Sequence, residues 1–239
     1  MRRVALVTGA SSGIGLACVH AFGQANWHVL AVARRTEGAP RGAVALSGDV
    51  TDPLTSPRAV AAAIEHFGRL DAVVGNAGVS LAKDVDRTTE EELEHLLAVN
   101  VKALVYVAQA AHEALAESRG SFVVIASNKG LVGQRGSPVY VATKGAAVQL
   151  ARALALDWAP ESIRVNAVCP GLVDTPMLRS FADAQPDPVA ARRRLAVEQP
   201  LGRLAHPEEC AQAVLFLASP AASFISGAAL PVDGAFTAQ

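Results

Sequence analysis

Cysteine is scarce in this 239-residue chain, and its placement excludes two chemistries. Cys18, Cys169 and Cys210 are odd in number, far apart and never arranged as C-x-x-C, so neither a disulfide framework nor a zinc or other metal site is expected. An excess of one charge is also missing. A formal net charge of -1 and a pI near 6.6 leave no broad basic surface for nucleic acid or anionic lipid. The one dense basic run, Arg192-Arg193-Arg194, reads as a solvated helix face. Long apolar runs are absent too, because Lys102, Gln109 and Arg152 break them well before the ~20 residues of a membrane span. The apolar run after Arg2-Arg3 stops at Thr8-Gly9, short of the about 7–15 residues of a signal peptide. A soluble, untargeted, cytoplasmic protein is expected, with no nucleic-acid and no membrane partner.

What is present is core material: 51% apolar residues against 18% charged, enough for one large α/β domain over residues 1–239. Short Val-rich runs at Arg3–Thr8, His28–Ala33, Val44–Ser47, Ala72–Val74, Ser121–Ala126, Ile163–Val168 and Ala229–Val232 read as strands. Helical patterns lie between most of them. One runs from about Gly13 to Gln24; another is expected to open at the N-cap pair Ser56-Pro57 and to reach Phe67. Thr89-Glu90-Glu91-Glu92 is a capping-box sequence opening a helix that carries Leu93, Leu96, Leu97, Val101, Leu104 and Val105. Pro207 opens the last long helix, to about Ala218. Strands apolar on both faces and alternating with helices require a parallel sheet covered on both sides, a doubly wound architecture of about seven strands. The proline-punctuated stretch at about 176–200 reads as a lid over a ligand site.

Thr8-Gly9-Ala10-Ser11-Ser12-Gly13-Ile14-Gly15 falls between the first strand and the first helix, where glycines permit a tight turn and backbone N–H groups reach a pyrophosphate at a helix N-terminus. No G-K-[ST] follows, which excludes a P-loop. Asp49-Val50 and Asn76-Ala77-Gly78 follow the third and fourth strands at the edge where open α/β sheets bind ligands, although turn chemistry alone also explains each. The second strand ends Val32-Ala33-Arg34-Arg35, a small residue and two cations at the edge where a dinucleotide-binding fold of this kind usually carries a carboxylate if it selects NAD. That pattern suits the 2′-phosphate of NADP(H) over NAD(H). Solvated loop charge is the bland alternative, and Glu37 lies close by.

Tyr140 and Lys144 stand one helical turn apart on a helix beginning near Ser137-Pro138, and an ammonium beside a phenol lowers a pKa of about 10, making tyrosine a proton donor and acceptor. By itself Y-x-x-x-K is common. Ser127, at the end of the fifth strand, brings a hydroxyl to the same sheet edge, and Asn100 interrupts an apolar helix face with an amide that needs partners.

With these residues in hand the chain resembles the short-chain dehydrogenase/reductase family, a Rossmann fold in compact single-domain form. TGASSGIG at 8–15, NAG at 76–78, Asn100, Ser127, YVATK at 140–144, CPGLVDT at 169–175 and SGAALPVDG at 226–234 keep the family's order and spacing over essentially the whole chain. The resemblance implies that Tyr140 passes a proton to the substrate oxygen, that Ser127 hydrogen-bonds that oxygen, that Lys144 binds the nicotinamide ribose and tunes Tyr140, and that Asn100 holds a water linking Lys144 to solvent. It further implies that Gly9, Ser12, Gly13, Ile14 and Gly15 cradle the phosphates, that Arg34 and Arg35 meet the adenosine end, and that Asp49 and Val50 touch adenine. Asn76 would help place the ribose, with Ala77 and Gly78 beside it among the cofactor-binding residues. Val173 and Thr175, after Pro170-Gly171, would hold the carboxamide.

Within the family the chain looks most like bacterial 3-oxoacyl-[acyl-carrier-protein] reductases. It departs from the pattern at Gly75, at Asn128-Lys129 after Ser127, and at Ala235, where a glycine is common. Asn128 and Lys129, together with Gln134, Arg135, Met177 and Phe181, are expected to shape the substrate pocket. The leading reading is an NADP-linked reductase of ketones such as 3-oxoacyl thioesters. The alternatives are an NAD-linked alcohol or dihydrodiol dehydrogenase and, from another class, a cofactor-binding regulator without turnover, disfavoured by the intact Asn100, Ser127, Tyr140 and Lys144. Small residues on more than one face of the Tyr140–Trp158 helix (Ala142, Gly145, Ala146, Ala147, Ala151, Ala155) suggest a partner. By resemblance that partner is a second copy, in a homotetramer or dimer with a four-helix interface that includes the Asn100 helix.

Overall fold

A computed structural model describes residues 2–36 and 42–238, so Glu37 lies outside the described residues. Seven strands form one parallel sheet: β1 (Val4–Thr8), β2 (His28–Ala33), β3 (Ala43–Ser47), β4 (Ala72–Gly75), β5 (Ser121–Ile125), β6 (Arg164–Pro170) and β7 (Ala229–Val232). Their spatial order is β3-β2-β1-β4-β5-β6-β7. The chain therefore leaves β1 in one direction for β2 and β3 and returns to its other side for β4, making a switch point between β1 and β4. Right-handed crossovers that change direction put helices on both faces.

The period of two along β1 builds both layers. Val4 and Leu6 face one layer and Ala5 and Val7 the other, all without exposure. On the first face lie α2 (Thr55–Phe67), α4 (Ala103–Ser118) and α5 (Pro138–Asp157), whose Ala63, Val107, Ala111, Ala147 and Val148 join Phe122 and Leu70. On the second face α1 (Gly13–Gln24) packs beside α8 (Pro207–Ala218), with Phe22 edge-on to Trp27. Alanine recurs at these contacts and lets helix backbones approach the sheet closely.

Element types follow the sequence, and the boundaries differ where backbone hydrogen bonding rather than apolarity sets them. α2 begins at Thr55, ahead of the expected Ser56-Pro57 start, after an Asp52 Oδ1 bond to Leu54 N has shaped the turn; Pro57 sits in its first turn, where no N–H is needed. The capping box forms as read: Glu92 N donates to Thr89 Oγ1 and Thr89 N donates to Glu92, opening α3 (Glu90–Leu97). The long helix expected from there is not continuous. Ala98–Lys102 form one π-helical turn between α3 and α4, with Asn100 inside it. In the stretch 176–200 two helices, α6 (Pro176–Asp183) and α7 (Pro188–Val197), share a small apolar cluster of Ala182, Ala191 and Leu195, separate from the main core. Ala235 adopts φ +70, a left-handed conformation that a glycine would take without strain.

Candidate active site

The glycine turn and the loop after β4 are built as one piece. Thr8 Oγ1 donates to Val74 O and accepts from Asn76 N and Ala77 N, while Asn76 Nδ2 donates to Thr8 O and Gly9 O at 2.8 and 3.2 Å. This latch spans the switch point and leaves no room for side chains. A Cβ on Gly9, whose φ is +64, would lie 2.8 Å from Asn76 Nδ2, and one on Gly15 would strike Gly9 O. Protein packing thus accounts for these two glycines as directly as ligand approach does. Thr8, which the motif reading did not single out, is the residue that ties the two loops together.

Ser12 caps α1 in an extended conformation without a side-chain cap bond, and the first turn carries no acidic residue. The first N–H groups of the helix therefore face the cleft with their positive partial charge uncompensated, as an anion requires. The cleft encloses about 650 Å³, within the usual range of about 300–1,000 Å³ for ligand pockets. It opens along the carboxyl ends of the strands, at the crevice position of the fold. Gly9, Ser12, Gly13, Ile14, Arg34, Arg35, Asp49, Val50, Asn76, Ala77, Gly78, Pro170, Gly171, Val173 and Thr175 all line it, and so do Ser127, Tyr140 and Lys144. An extended dinucleotide fits this donor set: helix N-terminus in the middle, arginines at one end, the tyrosine and lysine at the other.

Asn128, Gln134, Met177 and Phe181 also line the cleft, whereas Gly15, Asn100 and Arg135 do not. Asn100 is nearly fully buried, and its amide holds protein rather than standing in the cleft. Its Oδ1 accepts from Val79 N at 2.9 Å, and its Nδ2 donates to Val79 O at 2.9 Å and to Thr143 Oγ1 at 3.1 Å. Thr143 Oγ1 in turn donates to Tyr140 O at 2.8 Å. The π turn, the Val79 loop and the start of α5 are thereby fastened together.

At the reactive end Ser127 caps a short turn over Asn128–Gly130; its Oγ accepts from Lys129 N at 3.1 Å and donates to Asn128 Oδ1 at 3.5 Å. Lys144 Nζ donates to Ile125 O at 3.1 Å, and burial lowers its pKa to about 8. Tyr140 differs from the sequence expectation. Burial raises its pKa, a hydrogen bond with Ser127 partly opposes the rise, and Lys144 contributes no resolved lowering. With Lys144 Nζ turned to Ile125 O and 5.9 Å from the phenol ring centroid, desolvation outweighs the ammonium. Sequence reasoning also missed Gln199, buried below α7, whose Oε1 accepts from Leu172 N and meets the Gly171 backbone so closely that a Cβ there would clash. Its signal, a Gln-Pro pair ending the lid stretch, is too common to be read alone.

The family whose profile matches residues 9–237 is described as Enoyl-(Acyl carrier protein) reductase. Meso-2,3-butanediol dehydrogenase of Serratia marcescens is 36% identical over 245 residues, covering 99% of this chain and 95% of that protein. The ligand-free aldohexose dehydrogenase of Thermoplasma acidophilum superposes with a TM-score of 0.94 at 31% identity, over 100% of this chain and 95% of the other. A 3-ketoacyl-(acyl-carrier-protein) reductase from Brucella melitensis complexed with NADH gives 0.91 at 31% identity, over 98% of each chain.

Proposed function

The chain belongs to the short-chain dehydrogenase/reductase family and is an NAD(P)-dependent oxidoreductase acting on CH–OH groups, and from that premise we propose that it is an NADP-linked reductase of ketones, 3-oxoacyl thioesters among them. The observation that carries the reading is the meeting of Ser127, Tyr140 and Lys144 at one end of a cleft whose other end is lined by Arg34 and Arg35. The bound nicotinamide supplies the hydride; the residues of the chain manage the proton. Tyr140 Oη donates it to the substrate oxygen, and Ser127 Oγ hydrogen-bonds that oxygen, where negative charge develops. The raised pKa of Tyr140 keeps the phenol protonated at neutral pH, which suits a proton donor in the reductive direction. Lys144, buried and titrating near 8, is still mostly a cation at neutral pH and carries donors for a ribose hydroxyl. Asn100 acts by position, holding Val79 and Thr143. α6 and α7 serve as the lid: they contribute Met177, Phe181 and Leu195 to the cleft while resting on their own small cluster.

The oxidative, NAD-linked reading is the second one, and the alcohol dehydrogenases among the relatives favour it. Three buried, unpaired cysteines suit a reducing cytoplasm, and among the described residues no helix is long and apolar enough to cross a membrane. Tyr140→Phe tests the reading. It removes the transferable proton and little else, so kcat on the best substrate of a panel of β-keto thioesters, ketones and secondary alcohols falls below about a tenth while cofactor affinity stays within a few-fold. Retained turnover sinks the role of Tyr140, and absence of turnover by the wild type across the whole panel sinks the function.

A further inference from the structure

Two residues after Ser127, Lys129 is placed by the same backbone that places the reactive groups. Its N–H donates to Ser127 Oγ, and the next residue, Gly130, is pressed so closely on α5 that a Cβ there would lie 2.5 Å from Lys144 O. The backbone at Lys129 cannot shift without disturbing both. Its ammonium is half-buried at the cleft wall, 3.8 Å from the centroid of the Phe236 ring, on the turn that follows β7. Among the described residues no carboxylate pairs with it within ion-pair distance. Asp233 Oδ2 accepts from Thr237 N and Oγ1 at 3.0 and 2.8 Å, and the carboxylate reaches Lys129 only at longer range. Glu198 lines the cleft from the end of the lid, one turn after Arg194, and acts on Lys129 only at longer range. Lys129 is left beside Ser127 as a cation without a direct ion pair, with Glu198 and Asp233 as its more distant counter-charges. Next to it Asn128 Nδ2 is a buried donor without a partner, which makes this side of the turn short of acceptors.

A desolvated cation without a counter-ion gains most from an incoming anion, because its lost hydration is replaced by a charge-assisted hydrogen bond. Burial lowers the Lys129 pKa, and the more distant Glu198 and Asp233 only partly restore it, as expected of a cation lacking a direct partner. We propose that Lys129 is a specificity-determining residue that receives an anionic group, a carboxylate, carried by the substrate a short chain away from the reacting carbonyl. The physiological substrate is then an oxo acid or hydroxy acid. This deepens the reading of the chain as a reductase of ketones and rests on it. The cation–π contact alone offers a different role, a clamp for the C-terminal turn, and that role does not discriminate between charged and neutral substrates.

The test uses levulinate and its two longer homologues, each against its methyl ester, with wild type, Lys129→Met and Lys129→Arg. The graded lengths allow for the reach of the lysine stem. For at least one length the wild type favours the oxo acid over its ester by about tenfold or more in kcat/KM, and Lys129→Met lowers that ratio by about 10- to 100-fold, the range for a hydrogen bond to a charged group. Lys129→Arg restores most of it, and the wild-type preference shrinks as salt rises. A ratio unchanged in Lys129→Met overturns the proposal and leaves the clamp. Wild-type turnover of other ketones with no preference for any of the acids overturns it too, with the oxidoreductase reading intact. Inactivity on every ketone and alcohol offered overturns that reading itself, and the Lys129 role with it.

Discussion

Replacing Asn100 by alanine removes three hydrogen bonds at once: the acceptor for Val79 N and the donors to Val79 O and Thr143 Oγ1. The side chain is 1% exposed, so water does not replace them without rearrangement. At about 0.5–1.5 kcal/mol net for each bond, the loss amounts to about 2–4 kcal/mol. For a chain of this size that corresponds to a fall in Tm of about 5–15 °C. Urea unfolding at fixed protomer concentration measures it as a lower midpoint with an unchanged m-value. Asn100→Asp is the sharper probe. It retains an acceptor for Val79 N but sets a carboxylate oxygen against Val79 O, so at neutral pH it destabilises at least as much as alanine. Turnover falls along with stability, because Val79 follows Gly78, where an added Cβ would lie 3.4 Å from Lys144 Nζ, and because Thr143 passes the tie to Tyr140 O. A loss below about 0.5 kcal/mol for alanine, less than one ordinary hydrogen bond, would refute this account of the π turn, as would wild-type stability in the aspartate variant.

Cofactor choice is expected to follow Arg34 and Ala33: Arg34→Ala weakens NADPH by about 1.5–3 kcal/mol with little change for NADH, and Ala33→Asp reverses the preference. Equal losses with both cofactors in titrations of Arg34→Ala count against it. Lys144 titrates near 8 in the fold against an ordinary 10.5, so between those values the unfolded chain keeps a proton that the folded one has released. Its contribution to stability therefore rises with pH across that window. Relative to Lys144→Met, the wild type gains up to about 3 kcal/mol from pH 7 to about 10.5, with the high cysteine pKa values common to both proteins. A difference that stays flat with pH removes the assignment. Ala142, Ala146, Ala153 and the 78% exposed Leu156 line the face of α5 turned away from the sheet, and a dimer or tetramer closed through this face is expected in sedimentation; a monomer at every concentration contradicts it.

The architecture is legible in the sequence. A parallel sheet buried on both faces needs continuous Val-rich strands, and crossovers need amphipathic segments between them; both signals are local and run along the chain. The residues lining the cleft were legible for a related reason, since strand ends in such a sheet converge on one edge whatever lies between them. Sequence by itself therefore determined the strands, the capping box at Thr89 and the company of Tyr140, Lys144 and Ser127. Tertiary structure decided what depends on contacts distant in the chain. Thr8 became the latch between two loops because β4 is laid beside β1, and Asn100, inside a π turn, found its partners in Val79 and Thr143, 21 and 43 residues away. The Tyr140 pKa rises rather than falls because desolvation is set by everything packed around the phenol, while the lysine one turn away finds a carbonyl on another strand. Spacing along a helix fixes which side chains share a face; only the packed fold fixes which of them meet and how much water is left between them.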